Sequence, residues 1–362
     1  MLDSAIKILK KLNDNNYNAY IVGGFVRDHL LGLKSNDIDI TTNAKPKEIL
    51  KLFEDAELSS KDYGTVTVTR NGYRFEITTF RKEINYKDHR HPDEIEYIDD
   101  LYEDLLRRDF TVNTICMDKD EQIIDLLEGR KDLNKKIIKT VGESDIRFKE
   151  DALRILRAIR FSTSLKFSLD KDIEKAIYNN KYLLNKISYN RKKAELDKIF
   201  TSNNSDKGIE LLLKYDLDKE LNLNRLSKVV PNSDLIGIWS ILDVTDIYPF
   251  TSGEKDIIKK VNKALLEDYS SMRLYKYGLY VNSVIADIKG LDKKKVTEDY
   301  NALPIHTRND LDITSEEIMK LLNKEPGGYL TEIYNDLIEK VLYRKIENKN
   351  NILTNYIITN YK

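Results

Sequence analysis

The chain has 362 residues, 41% hydrophobic and 33% charged, enough for two or more domains with cores of their own. No apolar run approaches the about 18 residues that span a bilayer, the single cysteine (Cys116) excludes an internal disulfide or a multi-cysteine zinc site, and four histidines (His29, His89, His91, His306) supply no zinc or Ser-His-Asp set. The net charge of −1 hides an asymmetry: residues 1–125 hold 18 Lys+Arg against 25 Asp+Glu, and the remainder 42 against 36. An acidic front and a basic remainder suggest a long anionic partner lying along the second part. The opening MLDSAIKILKKLND is an amphipathic helix pattern without a signal-peptide core, which points to a cytoplasmic protein.

Residues 3–16 read as a helix leading into Tyr20–Thr42, YIVGGFVRDHLLGLKSNDIDITT. An apolar run, two glycines, a short amphipathic segment and Asp37-Ile38-Asp39 predict strand, glycine turn, short helix, strand. Side chains two apart on a strand share a face, so Asp37 and Asp39 aim together with Ile38 buried behind them. Carboxylates that close repel unless something positive lies between them, and Mg²⁺ binds through one or two carboxylates plus substrate phosphates. Gly23-Gly24 removes side chains where a triphosphate would meet backbone N–H groups.

Further on, Lys45-Pro46-Lys47-Glu48 starts a helix. Gly64–Thr69 alternates as a strand, Asn71-Gly72 signals a hairpin, and Tyr73–Phe80 returns. Glu76 faces away from Phe75 and Ile77, either a third carboxylate near the metal or a solvent-facing strand residue. Residues 81–93, RKEINYKDHRHPD, carry many charges and little periodicity and read as a mobile loop. Leu101–Met117 contains R-R-D-F-T-V-N. Asp145–Leu165, DIRFKEDALRILRAIRFSTSL, reads as one helix with Ile146, Leu153, Leu156 and Ile159 as its apolar stripe and with Glu150, Asp151, Arg154, Arg157 and Arg160 on the polar side. From Ile187 onward helix follows helix, among them Asp206–Tyr215, Glu254–Leu266 and Ser315–Leu322, with basic clusters (Lys259-Lys260, Lys293–Lys295, Lys340 with Arg344 and Lys345) suited to an RNA backbone.

The base-reading potential of the Asp145–Leu165 segment follows from donor and acceptor patterns. Cytosine and adenine each present an amino donor beside a ring-nitrogen acceptor; uracil and guanine present carbonyl beside N–H. A carboxylate next to a guanidinium, Asp151 with Arg154, offers acceptor beside donor and so complements C and A. The wrong base leaves buried groups unpaired, which discriminates strongly.

G-G-x-V-R-D followed by D-I-D, then R-R-D-F-T-V-N, then E-D-x-x-R-x-x-R-x-x-R-F resembles the signatures of the class II tRNA nucleotidyltransferase and bacterial poly(A) polymerase family, most closely its CCA-adding branch. The motifs cover roughly residues 20–200. The resemblance implies an α+β nucleotidyltransferase head with a mixed sheet over about 1–125, an α-helical neck over about 126–190 with the base-reading helix, and a helical body and tail over 191–362 that bind tRNA. It implies two Mg²⁺ ions on Asp37 and Asp39, with Glu76 possible as a helper, for attack of an RNA 3′-hydroxyl on the α-phosphate of CTP or ATP. Gly24, Arg27 and Arg108 then hold triphosphate, Asp109 accepts from a ribose hydroxyl, Asp151 and Arg154 read the base, and Arg157 and Arg160 support phosphate or fix Asp151. A-adding or CC-adding specialists and poly(A) polymerases share these motifs. Family enzymes that add the full CCA have a flexible loop near 81–93, where this chain keeps one. A non-catalytic RNA-binding module is opposed by the intact Asp37, Asp39 and Arg108.

Overall fold

The computed structural model describes residues 1–35, 37–60, 64–86 and 92–362. The chain divides into two compact units, Met1–Leu223 and Asn224–Lys362. The first opens with α1 (Leu2–Asp14), whose apolar stripe Ala5, Ile8, Leu9 and Leu12 is buried. Then come β1 (Ala19–Val22), α2 (Gly24–Leu30), β2 (Asp39–Thr42), α3 (Pro46–Leu52), β3 (Ala56–Ser60), β4 (Thr65–Arg70), β5 (Tyr73–Thr79), β6 (Arg81–Tyr86), β7 (Pro92–Tyr97), α4 (Leu101–Leu106), β8 (Cys116–Met117) and β9 (Ile123–Ile124). Seven strands form a mixed sheet in the order β3-β4-β5-β2-β1-β8-β9, with β2 parallel to β5 and antiparallel to β1. The predicted hairpin forms between β4 and β5; Asn71 and Gly72 both take positive φ (51° and 78°), the pair of left-handed residues a two-residue turn needs.

α5 (Gly129–Lys135), β10 (Ile137–Ile138), α6 (Ser144–Glu150), α7 (Leu153–Leu165), β11 (Ser168–Leu169), α8 (Lys171–Asn180), α9 (Tyr189–Phe200), α10 (Ser205–Lys214) and α11 (Leu217–Glu220) complete the first unit. The second is helical: α12 (Leu235–Leu242), α13 (Ser252–Ala264), α14 (Ser271–Lys289), α15 (Lys293–Asn301), α16 (Ser315–Leu322), α17 (Tyr329–Leu342) and α18 (Asn350–Tyr361). Its larger core gathers Leu274, Ile318, Ile333, Leu337, Leu353 and Ile357. Among the described residues no helix is long and apolar enough to cross a membrane.

Two expectations are corrected. Residues 81–93 are not simply a loop: β6 and β7 pair antiparallel as a separate ribbon, with Arg81 opposite Tyr97 and Glu83 opposite Ile95, and only its tip, residues 87–91, lies outside the described residues. A two-stranded ribbon outside the main sheet has little core to cover, so it shows little apolar alternation. The single helix expected over 145–165 is two helices. Asp151 between them is extended (φ −138°, ψ 103°), and its carboxylate accepts from the Leu153 N–H at 3.0 Å. A short acidic side chain that captures a nearby backbone donor competes with the helix ladder and ends it.

The positive charge is also more localised than expected. Residues 126–223 hold 22 Lys+Arg against 16 Asp+Glu, whereas 224–362 hold 20 of each. The whole excess of +6 therefore belongs to the end of the first unit, and the helical second unit is neutral.

Candidate active site

The D-I-D segment behaves as its alternation requires. Ile38 and Ile40 are buried, Asp37 and Asp39 exposed, with Asp37 just ahead of β2. β2 runs beside β5 with Asp39 in register with Glu76, so these two carboxylates rise from neighbouring strands on one face. Desolvation, then the charge of Asp37, and also that of Glu76 push the Asp39 carboxyl up to about 6, with Arg108 opposing. Among the described residues no three His, Cys, Asp or Glu side chains are arranged to hold a metal by themselves. The donor set is thus two or three hard oxygen ligands that repel one another, which fits a divalent cation that takes its remaining ligands from phosphate and water.

Gly23 supplies the turn between β1 and α2. Its φ of 85° disfavours other residues, and a Cβ there would lie 3.6 Å from Asp39 Oδ2 and 3.8 Å from an Arg108 nitrogen. The turn is therefore folded directly over the carboxylates. Arg27, on α2, is buried; it donates to Asp28 at 2.8 Å and through Nη1 to Asn113 Oδ1 at 2.7 Å.

Arg107 and Arg108 follow the end of α4, both held by Asp104, which is fully buried and also accepts from Thr41 Oγ1 of β2 and from the Arg81 N–H at the foot of the β6–β7 ribbon. The flanking arginines keep the Asp104 carboxyl below its ordinary range despite burial. Asp104 thereby fixes β2, the ribbon and the arginine pair to one another. The segment from 125 braces this motif from behind: Asp125 accepts from Gly129 and Arg130 N–H groups at 2.8 and 2.9 Å, Thr111 donates to Asp132 at 2.7 Å, and a Cβ at Gly129 would collide with the Thr111 carbonyl.

Arg157 and Arg160 of the E-D-x-x-R-x-x-R-x-x-R-F segment take partners distant in sequence. Asp109 accepts from Phe110 N–H and Asn113 Nδ2 on one oxygen and from Arg157 at 2.8 Å on the other, so both its oxygens are engaged with the protein. Arg157 and Asn113 hold its carboxyl well below the ordinary range although it is buried. Arg160 pairs with Glu195 of α9 at 2.9 Å. Asp151 pairs with Arg191 of α9 at 3.0 Å, not with Arg154. Arg154 is 7% exposed and spans the break between α6 and α7: Nη1 donates to Glu150 (2.8 Å) and to the Arg147 carbonyl (3.1 Å), and Nη2 to the Arg107 carbonyl (3.1 Å).

One cavity of about 680 Å³ in the first unit draws these groups together. Gly23, Gly24, Arg27, Asp37, Asp39, Arg108, Asp109, Asp151, Arg154, Arg157 and Arg160 all line it. Glu76 lines a neighbouring cavity of about 400 Å³ that shares Asp39, Arg81, Arg107 and Arg108. The structure adds residues to which the sequence reading gave no role: Arg81, Glu83, Arg107, Asn113 and Phe161 on the wall, and Asp104, Arg191 and Glu195 behind it. Asn113 and Phe161 were legible as the last letters of R-R-D-F-T-V-N and R-F; the α9 residues carry no such signal.

The chain resembles known proteins along most of its length. Residues 19–139 match the poly A polymerase head domain, 166–222 the Probable RNA and SrmB-binding site of polymerase A, and 254–357 the tRNA nucleotidyltransferase domain 2. The CCA-adding enzyme of Ligilactobacillus salivarius is 34% identical over 380 residues, covering 96% of this chain and 94% of the relative, and that of Bacillus pumilus is 34% identical over 384 residues, covering 98% and 96%. The crystal structure of the Bacillus stearothermophilus CCA-adding enzyme in complex with CTP superposes with a TM-score of 0.85 at 28% identity, covering 99% of this chain and 96% of that one. With sequence likeness along nearly its whole length and the same fold, the chain belongs to the family of the CCA-adding enzymes.

Proposed function

We propose that this chain adds C, C and A to the 3′ end of tRNA, drawing the nucleotides from CTP and ATP and releasing pyrophosphate. The observation that carries the reading is that the Asp37 and Asp39 carboxylates, the Gly23-Gly24 turn and the Asp151 and Arg154 side chains all line one cavity. A donor and an acceptor that suit cytosine and adenine then stand at one end, and the reacting phosphate at the other.

The Gly24 N–H, Arg27 and Arg108 hold the triphosphate by charge-assisted hydrogen bonds. Arg157 and Arg160 hold the floor beneath it, fixed by Asp109 and Glu195. The 3′-hydroxyl oxygen of the RNA attacks the α-phosphorus as its proton passes to water; the new O–P bond forms as the α–β bridging bond breaks, and pyrophosphate leaves carrying the electron pair. Members of the nucleotidyltransferase family generally use divalent metals, and Asp37 and Asp39, with Glu76 beside them, fit two Mg²⁺ ions. When bound, these supply the Lewis acidity that acidifies the 3′-hydroxyl and neutralises the leaving group. Residues 1–125 act as catalytic head, 126–190 as the neck that reads the base, and 191–362 as body and tail along the tRNA. The cationic stretch 126–223 supplies most of the phosphate attraction. The setting is cytoplasmic.

The test is direct. The protein is incubated with tRNA ending at the discriminator base plus CTP alone, ATP alone, or both. Two added residues with CTP and three with both are expected, with Asp39→Asn retaining less than a tenth of the activity. A long A tail, a stop at two residues with both nucleotides, or activity in Asp39→Asn would overturn the reading.

A further inference from the structure

Three guanidinium groups meet on one phenyl ring. The ring centroid of Phe161 lies 4.2 Å from the guanidinium carbon of Arg160, 5.1 Å from that of Arg27 and 5.5 Å from that of Arg157, while Phe110 packs against it edge-on at 5.7 Å. The ring is 9% exposed and lines the main cavity. Arg27 belongs to α2, at the glycine turn; Phe161, Arg157 and Arg160 belong to α7, which also bears Arg154. A polar path runs alongside: Arg27 donates to Asn113, Asn113 to Asp109, and Arg157 to the far oxygen of Asp109.

Three cations this close repel one another: burial first, and then the charges of Arg157 and Arg27, push the Arg160 guanidinium down. Their carboxylate partners are Asp28 for Arg27, Asp109 and Glu195 for Arg157, and Glu195 again for Arg160. Another carboxylate would quiet the repulsion but would repel an incoming triphosphate. An aliphatic side chain would fill the space and attract nothing. The negative faces of an aromatic ring attract guanidinium groups without adding formal charge.

We propose that Phe161 is a positioning residue that couples triphosphate binding at Arg27 to base selection at Asp151 and Arg154. It rests on the reading of the site given above. The ring holds Arg27 of α2 in one stack with Arg157 and Arg160 of α7, so a displacement of Arg27 toward phosphate is transmitted to α7, the helix that also bears Arg154.

The test replaces Phe161 in the full chain by 4-fluoro-, 3,5-difluoro- and 3,4,5-trifluorophenylalanine, which keep ring shape while draining its negative faces. Equilibrium binding of CTP and of UTP is titrated for each. CTP affinity should fall stepwise, by about tenfold in total at the trifluoro ring, and the CTP:UTP affinity ratio should fall with it; Phe161→Trp should keep both. A flat fluorine series with loss only in Phe161→Leu would show that the ring merely fills space. CTP affinity falling at a constant CTP:UTP ratio would show that the ring serves Arg27 alone. Both of these overturn the proposal. Because both readouts are binding, failure of the chain to extend tRNA would sink the proposed function and leave this test standing.

Discussion

Arg154 is the residue at which a structural and a base-reading role separate most cleanly. Its guanidinium makes three hydrogen bonds within the protein, to Glu150, the Arg147 carbonyl and the Arg107 carbonyl, and still lines the cavity. Arg154→Lys keeps the charge but replaces a planar fork by one nitrogen, which cannot hold all three acceptors and also present a donor edge to a base. Losing one buried charge-assisted bond costs about 1.5–3 kcal/mol, or about 3–12 °C in melting temperature for a unit of this size. Losing a bidentate base contact costs about 1–3 kcal/mol of discrimination, equivalent to about 5- to 150-fold in selectivity. The assay compares kcat/KM for CTP and UTP on one tRNA lacking CCA, well below the variant's melting temperature. A CTP:UTP ratio that falls at least fivefold is expected. An unchanged ratio alongside the lowered melting temperature would mean that Arg154 only clamps the helices together and reads nothing.

Two further outcomes follow from charge. In the metal-free protein, the Asp39 carboxyl should titrate near 6 by ¹³C NMR, assigned by Asp39→Asn, and Glu76→Gln should lower the midpoint by removing a negative neighbour. Its folded value lies above the unfolded one, so the bound proton favours the fold: this contribution is complete below pH 3.8 and lost as pH rises through 6; a midpoint near 4 would refute the crowding argument. Reversing Lys135, Lys136, Lys139 and Lys166 to Glu should weaken tRNA binding and flatten its salt dependence by about 0.9 for each phosphate no longer neutralised, far more than reversing Lys259, Lys294 and Lys345 in the neutral unit; equal effects would place the RNA elsewhere.

Much of the head was legible because its signals are local. Buried Ile38 and Ile40 alternate with Asp37 and Asp39, the strand pair β4–β5 alternates around Asn71-Gly72, and the site lies where these turns and strand ends converge. What the sequence hid is non-local. Spacing by three along α7 suggested that Asp151, Arg154, Arg157 and Arg160 serve one another, yet Asp151 and Arg160 are held from α9 and Arg157 from Asp109. Helical spacing states which side chains are neighbours on one cylinder and is silent about what docks against it. β10 and β11, two residues each, are too short to show a period. β3 was missed for another reason: AELSS has a single strong apolar residue, Leu58, and that is exposed.

The interruption at Asp151 bears on how one pocket could serve two bases of different size. On an unbroken helix, the spacing between a carboxylate and a guanidinium three residues later is a fixed gauge. Here the carboxylate stands on an extended residue between two cylinders, and the guanidinium on the second. α6 packs on α8, and α7 packs on α9 and α10, so the two cylinders bear on different neighbours. The gap is set by the two backbone bonds of Asp151 and bridged by Arg154, whose guanidinium bonds back to Glu150 and to the Arg147 carbonyl on the first cylinder. Under the proposed function, the distance between carboxylate and guanidinium is therefore set by one extended residue and one clamp, not by the pitch of a helix.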